Sequence, residues 1–165
     1  MKITLPMIAK HFDDNHSGTK KTFAALSNNK ISCTELAYDY KQLLGKPITS
    51  THANTLYIKD RLHFIEFTNG IVDGASLHTK IENSIADFKD LVPPGVDIYD
   101  FYRSFLIVID DYSTSPTKLV EQIIQHDLSK NMADLFDHYN ICARNYGYND
   151  INRTFYKEFS ASKLK

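Results

Sequence analysis

Glu66 is the residue of this sequence whose setting most strongly indicates chemistry. It stands between Phe64, Ile65 and Phe67 in a short apolar run. A carboxylate that stays ionised in apolar surroundings without a partner costs several kcal/mol. The pattern therefore predicts a functional reason for an acid at this position.

Residues 53–70 predict a β-hairpin around this acid. Two runs of apolar and β-branched residues are separated by the polar stretch 59–61, which is typical of two strands joined by a turn. Because strand side chains alternate between faces, Glu66 and Thr68 are expected on one face, together with Leu62 and Phe64. Ile65 and Phe67 are expected on the other face.

The hairpin carries a family resemblance. Asn54 opens the first strand, and residues 65–70 close the second with Ile-Glu-Phe-Thr-Asn-Gly. This resembles the PD-(D/E)XK nuclease superfamily, the restriction-endonuclease-like fold, whose small members commonly have an Asp at the first position and Ile-Glu-Phe-Lys-Asn-Gly at the second. The resemblance extends from about Ser32 to Phe159 in the order helix, hairpin, helix, strand, helix. It implies an α/β fold with a mixed central β-sheet flanked by helices.

The resemblance also implies a metal site that this sequence has altered. In the family the acids hold a divalent cation, and the lysine steadies the attacking water. Here Asn54 stands where the metal-binding Asp is expected, and Thr68 stands where the lysine is expected. Mg²⁺ sites usually use one or two carboxylates, and Asn54 offers a neutral oxygen. The implied ligands are Glu66 and Asn54, with Mg²⁺ or Mn²⁺ as cofactor if activity survives and no cofactor otherwise.

Two further residues are candidates to complete this site. Lys80 lies on the flank of a helix predicted from about Ser76 to Leu91, and in several branches of the superfamily the lysine has moved to this helix. A solvated helix lysine is the alternative interpretation. Glu35 is a candidate third metal ligand, because the resemblance places a helix there that can add an acid. The alternative is that Glu35 caps that helix.

The remaining elements are predicted from caps and hydrophobic spacing. The capping box at 32–35 begins a helix that runs to about Leu44. The continuous apolar run 105–109 predicts a strand covered on both faces, reached by a helical crossover. A second helix begins at Ser115-Pro116, and a third spans about 130–146 with Cys142 on its core face.

We expect a single domain, 1–165, in which 31–165 is the nuclease-like core. Residues 1–30 form an N-terminal arm, either helical or a strand at the sheet edge. Lys and Arg number 19 against 20 Asp and Glu, giving a net charge of -1. Contact with DNA or RNA therefore requires a local patch, and Lys20, Lys21 and Lys30 cluster in the arm.

The cysteines and the apolar runs indicate where in the cell the protein is expected. Cys33 and Cys142 are far apart, and no signal peptide follows Met1, so a reduced cytoplasmic setting is expected. No apolar run approaches the roughly 20 residues that span a bilayer, so no membrane partner is expected. The seven histidines lack a His-x-x-x-His pair, which argues against zinc.

Three functions remain open, and with them the question of whether the protein is an enzyme. The first is a non-catalytic nuclease-like module that binds nucleic acid or protein. The second is an active nuclease in which Glu66, aided by Glu35, Asp39 or Asp60, holds Mg²⁺ and Lys80 replaces the strand lysine. The third is a small immunity or anti-defence protein. It would bind a partner through surface tyrosines, for which the candidates are Tyr99, Tyr102, Tyr112, Tyr139, Tyr146, Tyr148 and Tyr156.

Overall fold

A computed structural model describes residues 2–28, 34–45, 51–68, 74–109 and 139–145, together with 118 and 122. Within these residues six strands form one mixed sheet, and their order across the sheet is β1 (Lys20–Thr22), β2 (Leu36–Asp39), β3 (Thr55–Ile58), β4 (Leu62–Thr68), β5 (Arg103–Ile109) and β6 (Tyr139–Asn145). The pairs from β1 to β4 are antiparallel, and the pairs β4–β5 and β5–β6 are parallel. The α/β class with a mixed central sheet is therefore confirmed.

The predicted hairpin is confirmed as β3, Thr55–Ile58, and β4, Leu62–Thr68. The two strands pair antiparallel, with Thr55 opposite Ile65 and Ile58 opposite Leu62. Both strands are short and rich in β-branched and aromatic residues, as extended backbone favours. This register fixes which side chains share a face with Glu66.

The crossover after the hairpin is also confirmed. Helix α4, Gly74–Ala86, continues into a 3-10 turn, Asp87–Asp90, and a second 3-10 turn, Ile98–Asp100, precedes strand β5. Strand β5, Arg103–Ile109, then pairs parallel with β4 along its whole length. A parallel pair needs such a connection, because the chain must return to the starting edge of the sheet.

Each face of the sheet packs against its own apolar cluster. One cluster joins helix α1, Leu5–Asn15, and helix α4 to the sheet. On the strands it includes Leu56, Phe64 and Ile107. The opposite cluster contains Ile65 and Leu106 of the same strands, packed against Phe23. Adjacent residues of β4 thus face opposite layers, as the alternation predicts.

The N-terminal arm contains both the helix and the edge strand that were expected as alternatives. Helix α1, Leu5–Asn15, buries Ile8 and Phe12 on one face. These residues lie one helical turn apart and join the cluster around Phe64. Strand β1, Lys20–Thr22, then pairs with β2 at the edge of the sheet and leads into the short helix α2, Phe23–Leu26.

The helix predicted from the capping box at 32–35 is wrong. Residues 31–33 lie outside the described part of the chain, and Leu36–Asp39 form strand β2 between β1 and β3. Ala37 and Tyr38 are buried in opposite clusters, which is a strand pattern. A short helix, α3, Tyr40–Leu43, follows β2 directly. Asp39 caps this helix, because its side chain accepts a hydrogen bond from the backbone N–H of Gln42.

The helix predicted over 130–146 is wrong over Tyr139–Asn145, which form strand β6; residues 130–138 lie outside the described part of the chain. This strand pairs parallel with β5, with Cys142 opposite Leu106. Its apolar spacing fits a helix as well as a strand, and a short apolar run does not separate the two. The helix predicted from Ser115 lies largely outside the described residues, although Lys118 and Gln122 are helical. The tail after Asn145 lies wholly outside them.

Candidate functional site

Glu66 lies near the end of β4 on the face that packs against α1 and α4. It is 3% exposed, so its predicted burial is confirmed. The register of the hairpin, continued by one pair, brings Asn54 opposite Glu66. The side-chain Oδ1 of Asn54 accepts the backbone N–H of Phe67 at 2.9 Å. The two residues named by the family motif are therefore neighbours across β3 and β4.

Lys80 is brought to Glu66 by helix α4. Leu77 and Ile81 face the sheet, and this orientation places Lys80 on the flank of the helix beside the end of β4. Its Nζ lies 3.4 Å from Oε1 of Glu66, and the lysine side chain is 14% exposed. Lys80 is thus held in a buried ion pair, unlike a solvated surface lysine.

A second lysine near the pair was missed by the sequence analysis. Lys41 lies in α3, and this helix is tied to the hairpin because the backbone N–H of Tyr40 donates to the carbonyl of Asn54 at 3.0 Å. Burial raises the pKa of Glu66 to about 7, and the charges of Lys80 and Lys41 act in the opposite direction. The sequence did not point to Lys41, because α3 was predicted as part of a longer helix.

One oxygen of Glu66 has no hydrogen-bond partner among the described residues. Oε1 faces Lys80, whereas Oε2 is buried and accepts no hydrogen bond from them. A buried acceptor without a donor costs about 1–3 kcal/mol, and more if it is charged. Three arrangements account for such an atom: the acid is protonated, the site takes a ligand, or a donor lies outside the described residues.

The other predicted ligands do not reach Glu66. The Tyr57 hydroxyl donates to the Glu35 carboxylate, and Tyr57 packs in the cluster on the opposite face of the sheet. Asp39 caps α3 and pairs with Lys21. Asp60 lies in the hairpin turn, before the other end of β4. Thr68 ends β4, and its side chain lies outside the described part of the structure.

These positions can be compared with what Mg²⁺ requires. Glu66 is the carboxylate of the pair, Asn54 already uses its oxygen on Phe67, and the ammonium of Lys80 stands beside Glu66. No group of three or more His, Cys, Asp or Glu side chains in the described residues could hold a metal ion. The donor set around Glu66, as far as the structure describes it, does not fit a divalent cation.

A second polar cluster on the sheet was not predicted. His63 is 2% exposed; its Nδ1 lies 2.7 Å from Oγ of Ser104 and its Nε2 lies 2.9 Å from Oδ1 of Asp60. Because a carboxylate only accepts, Nε2 donates to Asp60 and Nδ1 accepts from Ser104. Burial lowers the pKa of His63 to about 4. Ser104 is also buried, so this chain of contacts lacks the accessible nucleophile that catalysis needs.

The predicted phosphate-contacting patch in the arm is neutralised. Lys20 pairs with Asp13 at 3.4 Å, and Lys21 pairs with Asp39 at 3.2 Å. Lys30 lies outside the described residues. Each of these two lysines therefore carries a counter-charge, which weakens its own attraction for a phosphate.

Two of the predicted surface tyrosines are exposed. Tyr102 is 79% exposed and Tyr99 is 54% exposed. Tyr102 lines a groove of about 680 Å³, and Tyr99 lines a neighbouring one of about 340 Å³. The side chains of the other predicted surface tyrosines, Tyr112, Tyr139, Tyr146, Tyr148 and Tyr156, lie outside the described part of the structure.

Comparison of the chain with protein-family models, with curated proteins and with solved structures gives no match. Within the described residues, every helix is too short or too polar to cross a bilayer.

Proposed function

We propose that this chain is a divergent PD-(D/E)XK nuclease-like protein that no longer hydrolyses nucleic acid and instead binds it. The observation that carries this proposal is the buried pair of Glu66 and Lys80, 3.4 Å apart. The pair keeps an acid and a lysine of the family's site together, whereas Asn54, at the position of the second acid, adds no charge to hold the cation.

The order of elements supports the family assignment. A hairpin is followed by a helix and then by a strand parallel to the second hairpin strand. This is the middle part of the order on which the resemblance rests, and strand β2 with the short helix α3 takes the place of the helix expected before the hairpin. Asn54 and Glu66 also lie across from each other at one end of that hairpin, as paired metal ligands would.

The charge around Glu66 supports binding of nucleic acid without catalysis. Two lysines, Lys80 and Lys41, act on one carboxylate whose pKa is raised to about 7 by burial. Positive charges that act on Glu66 disfavour a divalent cation beside it and favour a phosphate. These lysines are a local source of the attraction that the net charge of -1 does not give.

The test is to restore the family's residues. In the double variant Asn54→Asp, Thr68→Lys we expect Mn²⁺ binding and cleavage of single- or double-stranded DNA, both absent from the wild type. The carboxylate introduced by Asn54→Asp keeps an oxygen for the backbone N–H of Phe67, so the fold tolerates it. The control adds Glu66→Gln to the double variant and should abolish both gains. Wild-type cleavage lost in Glu66→Gln would contradict the proposal.

Binding by the wild type is measured separately. We expect fluorescence anisotropy to show that the wild type binds a short labelled DNA or RNA and that the affinity falls as salt is added. The affinity should also be lower in Lys41→Met. Lys89→Met removes the same charge from an exposed position and should leave binding unchanged.

An active nuclease is a second candidate, favoured by one observation. Lys80 contacts Glu66, which is where a lysine that has moved to the helix would stand. This candidate requires metal-dependent cleavage by the unaltered chain, and a loss of cleavage in Lys80→Met.

A protein-binding role of the immunity or anti-defence type is favoured by a different region. Tyr99 and Tyr102 are exposed beside neighbouring grooves, and tyrosine is enriched in protein interfaces. Under this candidate, Tyr102→Ala would abolish co-purification of a protein partner, and nucleic acid would not be retained.

A further inference from the structure

We propose that Thr51, His52 and Asp87 form a nucleophilic site that hydrolyses short carboxylic esters, with Asn83 as the donor to the developing oxyanion. The site lies where the loop before β3 meets the end of α4. It shares no residue with the proposed function and does not rest on it.

A hydroxyl, an imidazole and a carboxylate are in hydrogen-bond contact in that order. Oγ1 of Thr51 lies 2.9 Å from Nδ1 of His52, and Nε2 of His52 lies 2.6 Å from Oδ2 of Asp87. A carboxylate only accepts, so Nε2 donates to Asp87 and Nδ1 of the neutral ring accepts from Thr51. These contacts are those of a nucleophile, its general base and the acid that orients the base.

Access to the hydroxyl distinguishes this chain of contacts from the one at His63. Thr51 is exposed, whereas Ser104 is buried. His52 is 4% exposed, so its ring is held inside the fold while the residue that carries the hydroxyl is open to solvent. A substrate can therefore reach Thr51 and cannot reach Ser104.

The framework around these residues fixes their relative positions. The backbone N–H of Ala53 donates to Oγ of Ser84 at 2.9 Å, and the hydroxyl of Tyr40 donates to the carbonyl of Ser84. The loop and α3 are thereby tied to α4, the helix that leads directly into Asp87. A catalytic group needs such support, because a small displacement costs much of its effect.

Asn83 supplies the donor that an oxyanion requires. It lies one helical turn before Asp87, and its Nδ2 donates to the carbonyl oxygen of Thr51 at 3.1 Å. A side-chain amide carries two N–H groups, so the second one can turn to an oxyanion that forms at Thr51. Side-chain amides of this kind serve as oxyanion donors in hydrolases.

The reaction follows from these positions. Oγ1 of Thr51 attacks the carbonyl carbon of the ester while its proton passes to Nδ1 of His52, and Asp87 stabilises the imidazolium that forms. The bond to the alcohol then breaks, the alcohol oxygen takes that proton, and the acyl group remains on Thr51. Water attacks this ester with His52 again as base, which releases the carboxylic acid and restores the hydroxyl. The methyl group of threonine crowds its hydroxyl, so short acyl groups are favoured.

The experiment treats the full chain with p-nitrophenyl acetate. We expect an initial burst of p-nitrophenolate, and peptide mass spectrometry should place the acetyl group on Thr51. Thr51→Val keeps the shape of this exposed side chain and should abolish both signals, whereas Thr51→Ser should keep them. Ser104→Ala removes the buried hydroxyl at His63 and should leave both signals unchanged.

Asp87 is tested as a positioning residue. Asp87→Asn places an amide at Nε2 of His52 and should slow the burst roughly a hundredfold, whereas Asp87→Glu should recover part of the rate. Circular dichroism checks that each variant is folded, and the Thr51 variants decide the question if an Asp87 variant is not. The inference is overturned by the absence of a burst in wild type, by acetyl groups on lysines alone, or by a burst that persists in Thr51→Val.

Discussion

His63 and Glu66 are buried polar residues on the same strand, and they differ in how far their hydrogen bonds are satisfied. His63 is 2% exposed and Glu66 is 3% exposed. Both ring nitrogens of His63 have partners, in Ser104 and Asp60. Within the described residues, Glu66 has one partner, Lys80, and one oxygen without any. The hydrogen bonds of His63 thus account for its burial, whereas the unsatisfied oxygen of Glu66 requires a separate explanation.

Removing Lys80 should give the largest effect. In Lys80→Met, Glu66 is left buried without its partner, and we expect a loss of about 2 to 3 kcal/mol in the free energy of unfolding at pH 8. About 1.4 kcal/mol of this is the cost of protonating an acid of pKa about 7 at pH 8, and about 1 kcal/mol is the lost contact with Lys80. The loss should shrink at pH 5, where Glu66 is protonated, and it should largely disappear in a Glu66→Gln background. Urea denaturation at the two pH values measures it. An equal loss at both pH values would contradict a charged Glu66 at pH 8.

The pH dependence of stability should differ between the two residues. The pKa of Glu66 is raised to about 7 in the fold, so its contribution is complete below the unfolded pKa and is lost as the pH rises from about 4.5 to 7. The pKa of His63 is lowered to about 4, so the neutral form is favoured in the fold. Its contribution is complete above about 6.5 and is lost as the pH falls towards 4.

Single variants separate these two slopes. Each slope is worth about 3 kcal/mol, and in wild type they nearly cancel between about pH 4.5 and 6.5. Glu66→Gln should therefore become more stable as the pH rises through this range, and His63→Gln should become less stable. Urea titrations at half-unit pH steps measure the slopes. Two variants with the same slope would remove the distinction between the residues.

Ser104→Ala tests whether His63 needs its complete set of partners. The substitution removes the hydroxyl that donates to Nδ1 of His63, and the buried nitrogen is left without that donor. We expect a loss of about 1 to 2 kcal/mol in the free energy of unfolding, measured by urea denaturation at pH 7. No loss would mean that another donor or a water replaces the serine.

Tyr102→Ala should give the smallest effect. Its side chain is 79% exposed, and surface substitutions usually change stability by less than about 0.5 kcal/mol. Thermal unfolding of the variant measures this. A larger loss would show that the contact of Tyr102 with Arg61, 5.9 Å from the ring centre, contributes to the fold.

The sequence predicted those parts of the structure that local patterns determine. The hairpin, helix α4 and strand β5 follow from alternation, from helical spacing and from a continuous apolar run. Burial of Glu66 followed from its apolar neighbours. The contact of Lys80 with Glu66 was expected from the family resemblance and from no local pattern.

The rest depends on partners that are distant along the chain. Strand β2 is extended because it lies between β1 and β3, and its capping-box signal favours a helix in isolation. Strand β6 depends on pairing with β5. Glu35 was a candidate ligand because a helix was expected there, whereas the residue precedes strand β2 and contacts Tyr57, which packs on the other face of the sheet. His63 and Ser104 are paired across neighbouring strands, a register that no local pattern of the sequence gives.

The lysines of β1 have a consequence for association between copies of this chain. This strand has three residues and ends the described sheet, so its outer edge offers few backbone groups to an added strand. Lys20 and Lys21 form ion pairs there with Asp13 and Asp39. A strand that docked on this edge would have to desolvate both ion pairs. Fibril growth by edge-to-edge addition is disfavoured on this side of the molecule.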